Sequence, residues 1–351
     1  MSRRQVIPGI QEEMFEHEGL TQDVVLWEDG LRADTGPGHF EWWYFDAHLQ
    51  DGSTAVIVFM TKSLINRRSP LTPGVQVTVT RPDGTKEVAL SFFAPNQFSA
   101  SRESCDVHID DNWVRGDLHR YELHVKVDGL AADLTFTGRV PPWRPGVGKS
   151  YYTADLSRYF AWLPAIPFGD VEGTLTYDGQ THVVQGRGYH DHNWGNVDLP
   201  TVMSHWYWGR ANVGDFHTIF VEQVSTKKYG AQKLPVFMLA QGNRILIGDG
   251  RPLTLQLADW QTHSCGKQYP RRLDFHWRGE EGTVHLALRR PQQIEATSLL
   301  TALPRWKQWL LGWLVNPYYF RFNAELELRI DLDDVQAVER GSALYEMMLL
   351  R

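Results

Sequence analysis

Alternation of apolar and polar residues with a period of two constrains the fold of this chain more than any other feature. Val75, Val77 and Val79 alternate with polar residues, and similar runs recur at 121–127 and 326–330. Turn signals such as PDG and GEEG separate the runs. This pattern is typical of half-buried strands joined by tight turns. The sequence therefore predicts an all-β fold of antiparallel barrels with a few short helices, since α/β folds separate their strands by helical stretches.

A weak internal repeat suggests that the chain contains two such barrels. EWWYFDAHLQDGSTAVIVF near residue 40 resembles SHWYWGRANVGDFHTIFVE near residue 204, and an offset of 163 matches Trp43 with Trp206 and Phe45 with Trp208. Repetition at a domain-sized spacing indicates tandem units. We expect Trp43 and Trp206 at equivalent positions of their first strands. The predicted organisation is an extension at 1–29, a first barrel at 30–200 and a second at 201–351.

Charge and cysteine content exclude several classes of protein. The formal net charge is −7, whereas nucleic-acid-binding proteins normally carry a basic face. Cys105 and Cys265 are isolated in the sequence, so neither a disulfide framework nor a structural zinc site is expected. We find neither an apolar run of membrane-spanning length nor a secretory signal, and expect a cytoplasmic protein. The sequence gives no indication of an oligomeric state.

Residues 304–316 show helical rather than strand periodicity. Trp306, Trp309, Leu310, Trp313 and Leu314 lie at the spacing of one helix face. Such a helix can cover a barrel, or it can lie in a lipid interface. The second alternative predicts a peripheral contact at the inner face of a membrane.

Residues 141–168 form a long segment rich in proline and aromatic residues. We expect a loop here, and loops of this length in compact domains are often lids or binding elements. Within it, GVGKS at 146–150 lacks the first glycine of a phosphate-binding loop, where the chain has Trp143. No cofactor is therefore expected.

The segment GRGYHDHNWGN at 186–196 concentrates groups capable of chemistry. On an extended strand, Tyr189, Asp191 and Asn193 point to one side, and His190 and His192 to the other, together with Trp194. The first set is a carboxyl between two hydrogen-bonding neighbours, suited to a general acid. The histidines lack a third metal ligand in the local sequence, so no metal is expected. The alternative is that this polar run only closes a barrel rim.

A second candidate segment is HFEWWYFD at 39–46. Alternation places Glu41, Trp43 and Phe45 on one face and Trp42, Tyr44 and Asp46 on the other. An acid among aromatic rings can belong either to a barrel core or to a pocket, and the residues leave both open.

EWWYFD and Y-x-D-x-N-W-G, in tandem β-halves, resemble the motifs of the carotenoid 1,2-hydratase (hydroxyneurosporene synthase) and AttH-like family. Tocopherol cyclases and lipocalin-like pericyclases are related to it. The resemblance covers residues 30–350 and implies two tandem lipocalin-like (calycin) barrels with a hydrophobic pocket. It also implies that Asp191 is a proton donor, assisted by Tyr189 and by Trp162.

The expected function is cofactor-independent protonation of a C=C bond in a hydrophobic polyene or isoprenoid, giving hydration or cyclisation by a lyase or cyclase. A buried carboxylic acid can supply the proton, and aromatic rings can stabilise the cation. Alternatives are a pericyclase and a non-catalytic carrier of a lipophilic ligand. The expected substrate-binding residues are Glu41, Trp43, Phe45, His190, His192, Asn193, Trp194, Trp206 and Trp208.

Overall fold

The computed structural model describes residues 4–63, 67–298 and 317–350. Within these ranges the chain is mostly β, with the short helices α1 (Glu12–Glu18) and α2 (Leu199–Val202) and single 3-10 turns at Leu26–Asp29, Pro95–Gln97 and Lys227–Tyr229. The strands are β1 (Ile7–Pro8), β2 (Phe40–Leu49), β3 (Thr54–Met60), β4 (Gly74–Thr80), β5 (Lys86–Phe92), β6 (Phe98–Ala100), β7 (Cys105–Ile109), β8 (Asn112–Gly116), β9 (Arg120–Val127), β10 (Leu130–Gly138), β11 (Lys149–Tyr151), β12 (Tyr159–Tyr177), β13 (Gln180–Gly195), β14 (Met203–Val213), β15 (Phe216–Ser225), β16 (Lys233–Gln241), β17 (Arg244–Ile247), β18 (Leu253–Thr262), β19 (Gln268–Gly279), β20 (Gly282–Ser298), β21 (Tyr318–Leu332) and β22 (Val335–Leu349).

These strands form two antiparallel sheets, each curled into a half-barrel. The first has the order β5-β4-β3-β2-β13-β12-β10-β9-β8-β7-β6, with β1 and β11 added beside β12. The second has the order β17-β16-β15-β14-β22-β21-β20-β19-β18. The predicted all-β fold with two antiparallel sheets and short helices is therefore confirmed.

The chain divides into two compact units, each with one sheet and one apolar core. The first unit is Ile7–Val197, and the second comprises Asp198–Arg351 together with Met1–Val6. Residues 7–29 thus belong to the first unit, where β1 pairs with β11 and Phe15 of α1 packs on Val147 and Tyr151.

The main strands of the two sheets follow one order, although the residue match from the sequence places Trp206 on the wrong face of β14. The first strand of each sheet, β2 or β14, pairs with the last, β13 or β22. Trp43 is fully buried in its core, whereas the core residues of β14 are Tyr207, Ala211 and Val213. Trp206 therefore lies on the opposite face of its sheet from the residue equivalent to Trp43, because a shift of one residue reverses the face of a strand.

Residues 159–168, expected to be part of a loop, are the first half of the 19-residue strand β12. Pro164 pairs with Asp191, and the register of the pairing shifts between Pro164 and Ile166 and again between Ile166 and Gly169. Proline lacks the amide donor for a regular ladder and is tolerated in a strand at such irregularities. Trp162 is therefore held on a strand.

The predicted helix at 304–316 lies outside the described residues. Among those that are described, we found no helix with the length and apolar character needed to cross a membrane.

Candidate active site

The candidate site is built on β13, whose side chains alternate between two buried environments. Leu49 and Phe45 of β2 belong to the apolar core, and so define the interior face of the first sheet. His190 lies opposite Phe45 and shares that face, whereas Asp191 lies opposite Tyr44 and points to the outer face. The predicted separation of the histidines from Asp191 is observed.

The outer face carries a platform of polar and aromatic side chains from three adjacent strands. We call it the outer-face platform, and its residues are Trp42, Tyr44, Asp46, Trp162, Tyr189, Asp191 and Asn193. Residues that pair across the sheet lie in rows, in which the platform residues have neighbours from β3 and Pro164 of β12. These rows are Met60–Trp42–Asn193–Trp162, Val58–Tyr44–Asp191–Pro164 and Val56–Asp46–Tyr189.

Asp191 occupies the middle of this platform and accepts three hydrogen bonds. The Tyr189 hydroxyl donates to its Oδ2 at 2.7 Å, and the Trp162 indole Nε1 donates to the same oxygen at 2.9 Å. The Asn193 amide donates to Oδ1 at 2.6 Å. All three donors are neutral, so no cation among these partners compensates the carboxylate.

Burial determines the protonation of Asp191. Its side chain is 9% exposed, and this desolvation raises its pKa above the usual value for an aspartic acid. The hydrogen bonds from Tyr189 and Trp162, the charge of His190 and the hydrogen bond from Asn193 act in the opposite direction without reversing the shift. The result is a carboxyl that retains its proton more readily, with three donors placed to bond its ionised form.

Aromatic rings surround one side of the platform. The Trp143 ring meets Trp162 edge-on, with centroids 6.2 Å apart. Phe40 stacks on Trp42 at 5.5 Å, and Phe160 lies 6.2 Å from the Trp42 ring. These π-faces make the surroundings of Asp191 apolar and able to stabilise a cation.

The interior face of β13 carries a different group, which we call the interior cluster: Asp29, Glu41, Tyr121, His190 and His192. Asp29 Oδ2 accepts a hydrogen bond from the Tyr121 hydroxyl at 2.5 Å and lies 3.2 Å from His190 Nε2. His192 Nε2 is 2.7 Å from Glu41 Oε1, and its Nδ1 is 3.2 Å from Asp29 Oδ1. Each of the five side chains is almost completely buried.

The interior cluster is ionic. Burial opposes the charged form of His192, but Asp29 and Glu41 more than offset it and raise its pKa to about 9. Burial likewise opposes the Asp29 carboxylate, yet the charges and hydrogen bonds of His190 and His192 lower its pKa. The backbone N–H groups of Arg32 and Ala33 bond both oxygens of Glu41 at 2.7 Å. The chain before β2 is thereby attached to β13.

Donor atoms suited to a metal also occur in this region. Those of Asp29, Cys105 and His190 lie within 4.8 Å of one another, so the structure supplies the third residue that the local sequence lacks. Asp29 Oδ2 and His190 Nε2 already face each other, and His190 Nδ1 is 2.9 Å from the Tyr44 carbonyl oxygen. Hydrogen bonding accounts for the placement of Asp29 and His190.

The structure brings together only part of the predicted site. Asp191, Tyr189, Trp162 and Asn193 meet on the outer face. The remaining predicted residues of the first unit lie on the interior face; these are Glu41, Trp43, Phe45, His190, His192 and Trp194. Trp206 and Trp208 belong to the second unit and are half-buried on the face of β14 opposite its core.

Sequence reasoning missed Trp42, Tyr44 and Asp46 as site residues, and Asp29 as a member of the interior cluster. The first three share one face of EWWYFD, so alternation does group them correctly. What selects that face is the pairing of β2 with β13, which the sequence does not show. Asp29 lies 161 residues from its partner His190 and has no local signal.

Comparison with known proteins identifies the type of chain. Residues 33–306 match the model of a family described as AttH-like. The chain is 24% identical over 262 residues to the quinolone epoxide rearrangement protein penF of Penicillium thymicola, covering 68% of this chain and 71% of the relative. It is 25% identical over 212 residues to a hydroxyneurosporene dehydrogenase of Chlorobaculum tepidum, covering 50% of this chain and 54% of that protein.

A solved structure shares the architecture. CghA, crystallised with Sch210972, superposes with a TM-score of 0.61 at 15% identity, covering 99% of both chains. This likeness shows a common fold.

Proposed function

The chain belongs to the AttH-like family, and on that basis we propose that it is an enzyme acting on a hydrophobic polyene or isoprenoid, in which Asp191 protonates a C=C bond for hydration or cyclisation. Relatives whose names describe an epoxide rearrangement and a dehydrogenation of hydroxyneurosporene support an enzymatic role on hydrophobic compounds.

One observation carries the proposal: Asp191 is buried among aromatic rings and its hydrogen-bond partners are all neutral. Protonating an unactivated alkene requires an acid that keeps its proton in a dry environment. Burial without a cationic partner meets this requirement by disfavouring the carboxylate.

The surroundings suit both stages of such a reaction. When Asp191 gives up its proton, the Tyr189, Trp162 and Asn193 donors stabilise the carboxylate that remains. The carbocation formed on the substrate is stabilised by cation–π attraction to nearby rings, of which Trp162 and Tyr44 are part of the platform. Proton transfer and charge stabilisation are both supplied by side chains of this chain.

The decisive experiment measures isotope incorporation from labelled water with an acyclic carotene carrying terminal isoprene units as the probe. Hydration incorporates one deuterium from D₂O and one oxygen-18 from H₂¹⁸O, whereas cyclisation incorporates deuterium alone. Asp191→Asn should abolish both. A wild-type protein that transforms the probe without incorporating deuterium contradicts the proposal.

A pericyclase is the second candidate, because a protonated Asp191 can also donate a hydrogen bond that polarises a diene or dienophile. Such a reaction incorporates no isotope from water and tolerates Asp191→Asn with a modest loss, since the amide still donates a hydrogen bond. A carrier of a lipophilic ligand, the third candidate, binds the carotene unchanged.

A further inference from the structure

The outer-face platform contains a second carboxyl, Asp46, to which the reaction described above assigns no role. Asp46 lies directly opposite Tyr189 in the pairing of β2 with β13. On its other side, the residue opposite it on β3 is Val56. Its side chain is 2% exposed, so it is as buried as the carboxylates of the interior cluster while belonging to the face that carries Asp191.

Asp46 and Asp191 each pair with a phenol. The Tyr44 hydroxyl donates to Asp46 Oδ2 at 3.3 Å, as the Tyr189 hydroxyl donates to Asp191 Oδ2 at 2.7 Å. The two phenol rings meet edge-on, with centroids 6.4 Å apart. Because Tyr44 lies opposite Asp191 and Tyr189 lies opposite Asp46, the two pairs are crossed on one surface. Cross-strand diagonal neighbours of this kind are about 7–8 Å apart.

Adding water to an alkene needs two proton transfers at different places. One proton is given to carbon, and a second is lost from the oxygen that adds to the cation. The Asp191 carboxylate left by the first transfer can serve as the base only for a water beside it; a water that attacks from another side needs a second base. Sites that perform both steps generally use two titratable groups whose environments differ.

We propose that Asp46 is the base of this site, accepting the proton from the attacking water, with Tyr44 as its positioning residue. The inference rests on the proposed function, since it names the second partner of the same reaction. The O–H bond of Asp191 breaks as a C–H bond forms on the alkene. Water then forms a C–O bond with the cation, and its O–H bond breaks as the proton passes to the Asp46 carboxylate. A proton then returns from Asp46 to Asp191 and restores the enzyme. The Tyr44 and Tyr189 hydroxyls, each bonded to one of the two carboxyls, lie on this route.

The first test needs no substrate. The full-length protein is labelled with carbon-13 at the aspartate carboxyls, and Asp46→Asn and Asp191→Asn proteins assign the two resonances at neutral pH. The base role requires Asp46 to be a carboxylate beside a protonated Asp191, although its 2% exposure by itself favours the protonated form of Asp46. If both are protonated, or both ionised, the division into acid and base is overturned. An ionised Asp191 contradicts the proposed function as well, which separates the two failures.

The second test follows deuterium and oxygen-18 during reaction with the acyclic carotene. In Asp46→Asn, deuterium exchange into the alkene should stay within about threefold of wild type, while oxygen-18 incorporation falls ~10²-fold or more. Tyr44→Phe should lower oxygen-18 incorporation less. Asp170→Asn, at an exposed ion pair with Arg139, serves as the matched control.

Each other result in this second test is also informative. Loss of both isotopes together in Asp46→Asn shows that Asp46 is required before protonation and overturns its role as the base. Retention of both isotopes overturns it equally. A wild-type protein that incorporates neither isotope contradicts the proposed function itself.

Discussion

Tyr44 lies directly opposite Asp191 in the pairing of β2 with β13, so the two side chains project from the same face of the first sheet. This register joins two segments that are 147 residues apart in the chain. It places the phenol and the acid at the centre of one surface and leaves Trp43 and Phe45 on the opposite side, in the apolar core.

Replacing the proposed acid should stop the reaction without unfolding the protein. Asp191→Asn keeps the shape of the side chain but removes its transferable proton, and general acid–base catalysis typically contributes ~10²–10⁴-fold. We expect turnover at saturating carotene to fall by that factor, with binding of the carotene retained. Asp170→Asn should leave both unchanged. Near wild-type turnover in Asp191→Asn ends the proton-donor interpretation.

Tyr189→Phe should lower turnover less than Asp191→Asn does. The Tyr189 hydroxyl donates one of the three hydrogen bonds to Asp191, and Trp162 and Asn193 continue to stabilise the carboxylate without it. Removing a donor to a developing anion costs up to ~10²–10³-fold where it is the principal one. We expect Tyr189→Phe to lower turnover by a factor at the smaller end of this range. A loss equal to that of Asp191→Asn indicates that Tyr189 itself transfers the proton.

The interior cluster should make stability depend on pH above neutrality. The pKa of His192 is raised from 6.5 to about 9, so its stabilising charge is fully present below pH 6.5 and is lost as pH rises through 9. His192→Gln removes this contribution and takes a positive charge away from the buried carboxylates of Asp29 and Glu41, at a cost of roughly 3–5 kcal/mol. Urea denaturation of both proteins should show their largest difference below pH 6.5 and a smaller one at pH 9. The exposed His119→Gln is the control, and a difference that does not change with pH contradicts the assignment.

The proposed reaction uses side chains alone, so exhaustive dialysis against a chelator should leave turnover unchanged. The check is elemental analysis before and after dialysis, together with turnover of the carotene. If stoichiometric zinc or iron is found and restores lost activity, Asp29, Cys105 and His190 are the residues to examine as ligands.

Residues 304–316 yield a prediction from sequence alone. Three tryptophans at helical spacing suit a lipid interface as well as the cover of a barrel, and a carotene-like substrate would dissolve in such an interface. We expect weak, reversible binding to liposomes, reduced by Trp309→Glu or Trp313→Glu. Co-sedimentation with vesicles measures it. Binding that is unaltered in folded variants refutes the contact.

Local patterns in the sequence predicted the part of the structure that depends on neighbouring residues. The alternation of Tyr189, His190 and Asp191 gave the two faces of β13, because the side-chain period of a strand is two. The same alternation grouped Trp42 with Tyr44. It also predicted the antiparallel sheets, since tight turns between alternating runs leave few other arrangements.

Features that depend on pairing between distant segments could not be predicted in this way. Glu41 and Trp43 were predicted as binding residues because the segment combines an acid with aromatic rings. Only the pairing register with β13 shows that the other face of β2, which carries Tyr44, meets Asp191. The match of Trp43 with Trp206 relied on the similarity of their rings. It did not show that Trp43 faces the core of its sheet whereas Trp206 lies on the face of β14 opposite the core. Asp29 precedes β2 without any pattern around it.

Strand β13 separates the requirements of folding from those of the proposed chemistry within five consecutive residues. His190 and His192 hold the core together and cannot change independently of Asp29 and Glu41. Tyr189, Asp191 and Asn193 hydrogen-bond to one another and to Trp162, and none of these bonds belongs to the ion pairs of His190 and His192. If these three positions carry the proposed chemistry, a duplicated gene can explore new reactions there while it keeps those ion pairs, and this freedom makes such a scaffold easy to diversify during evolution.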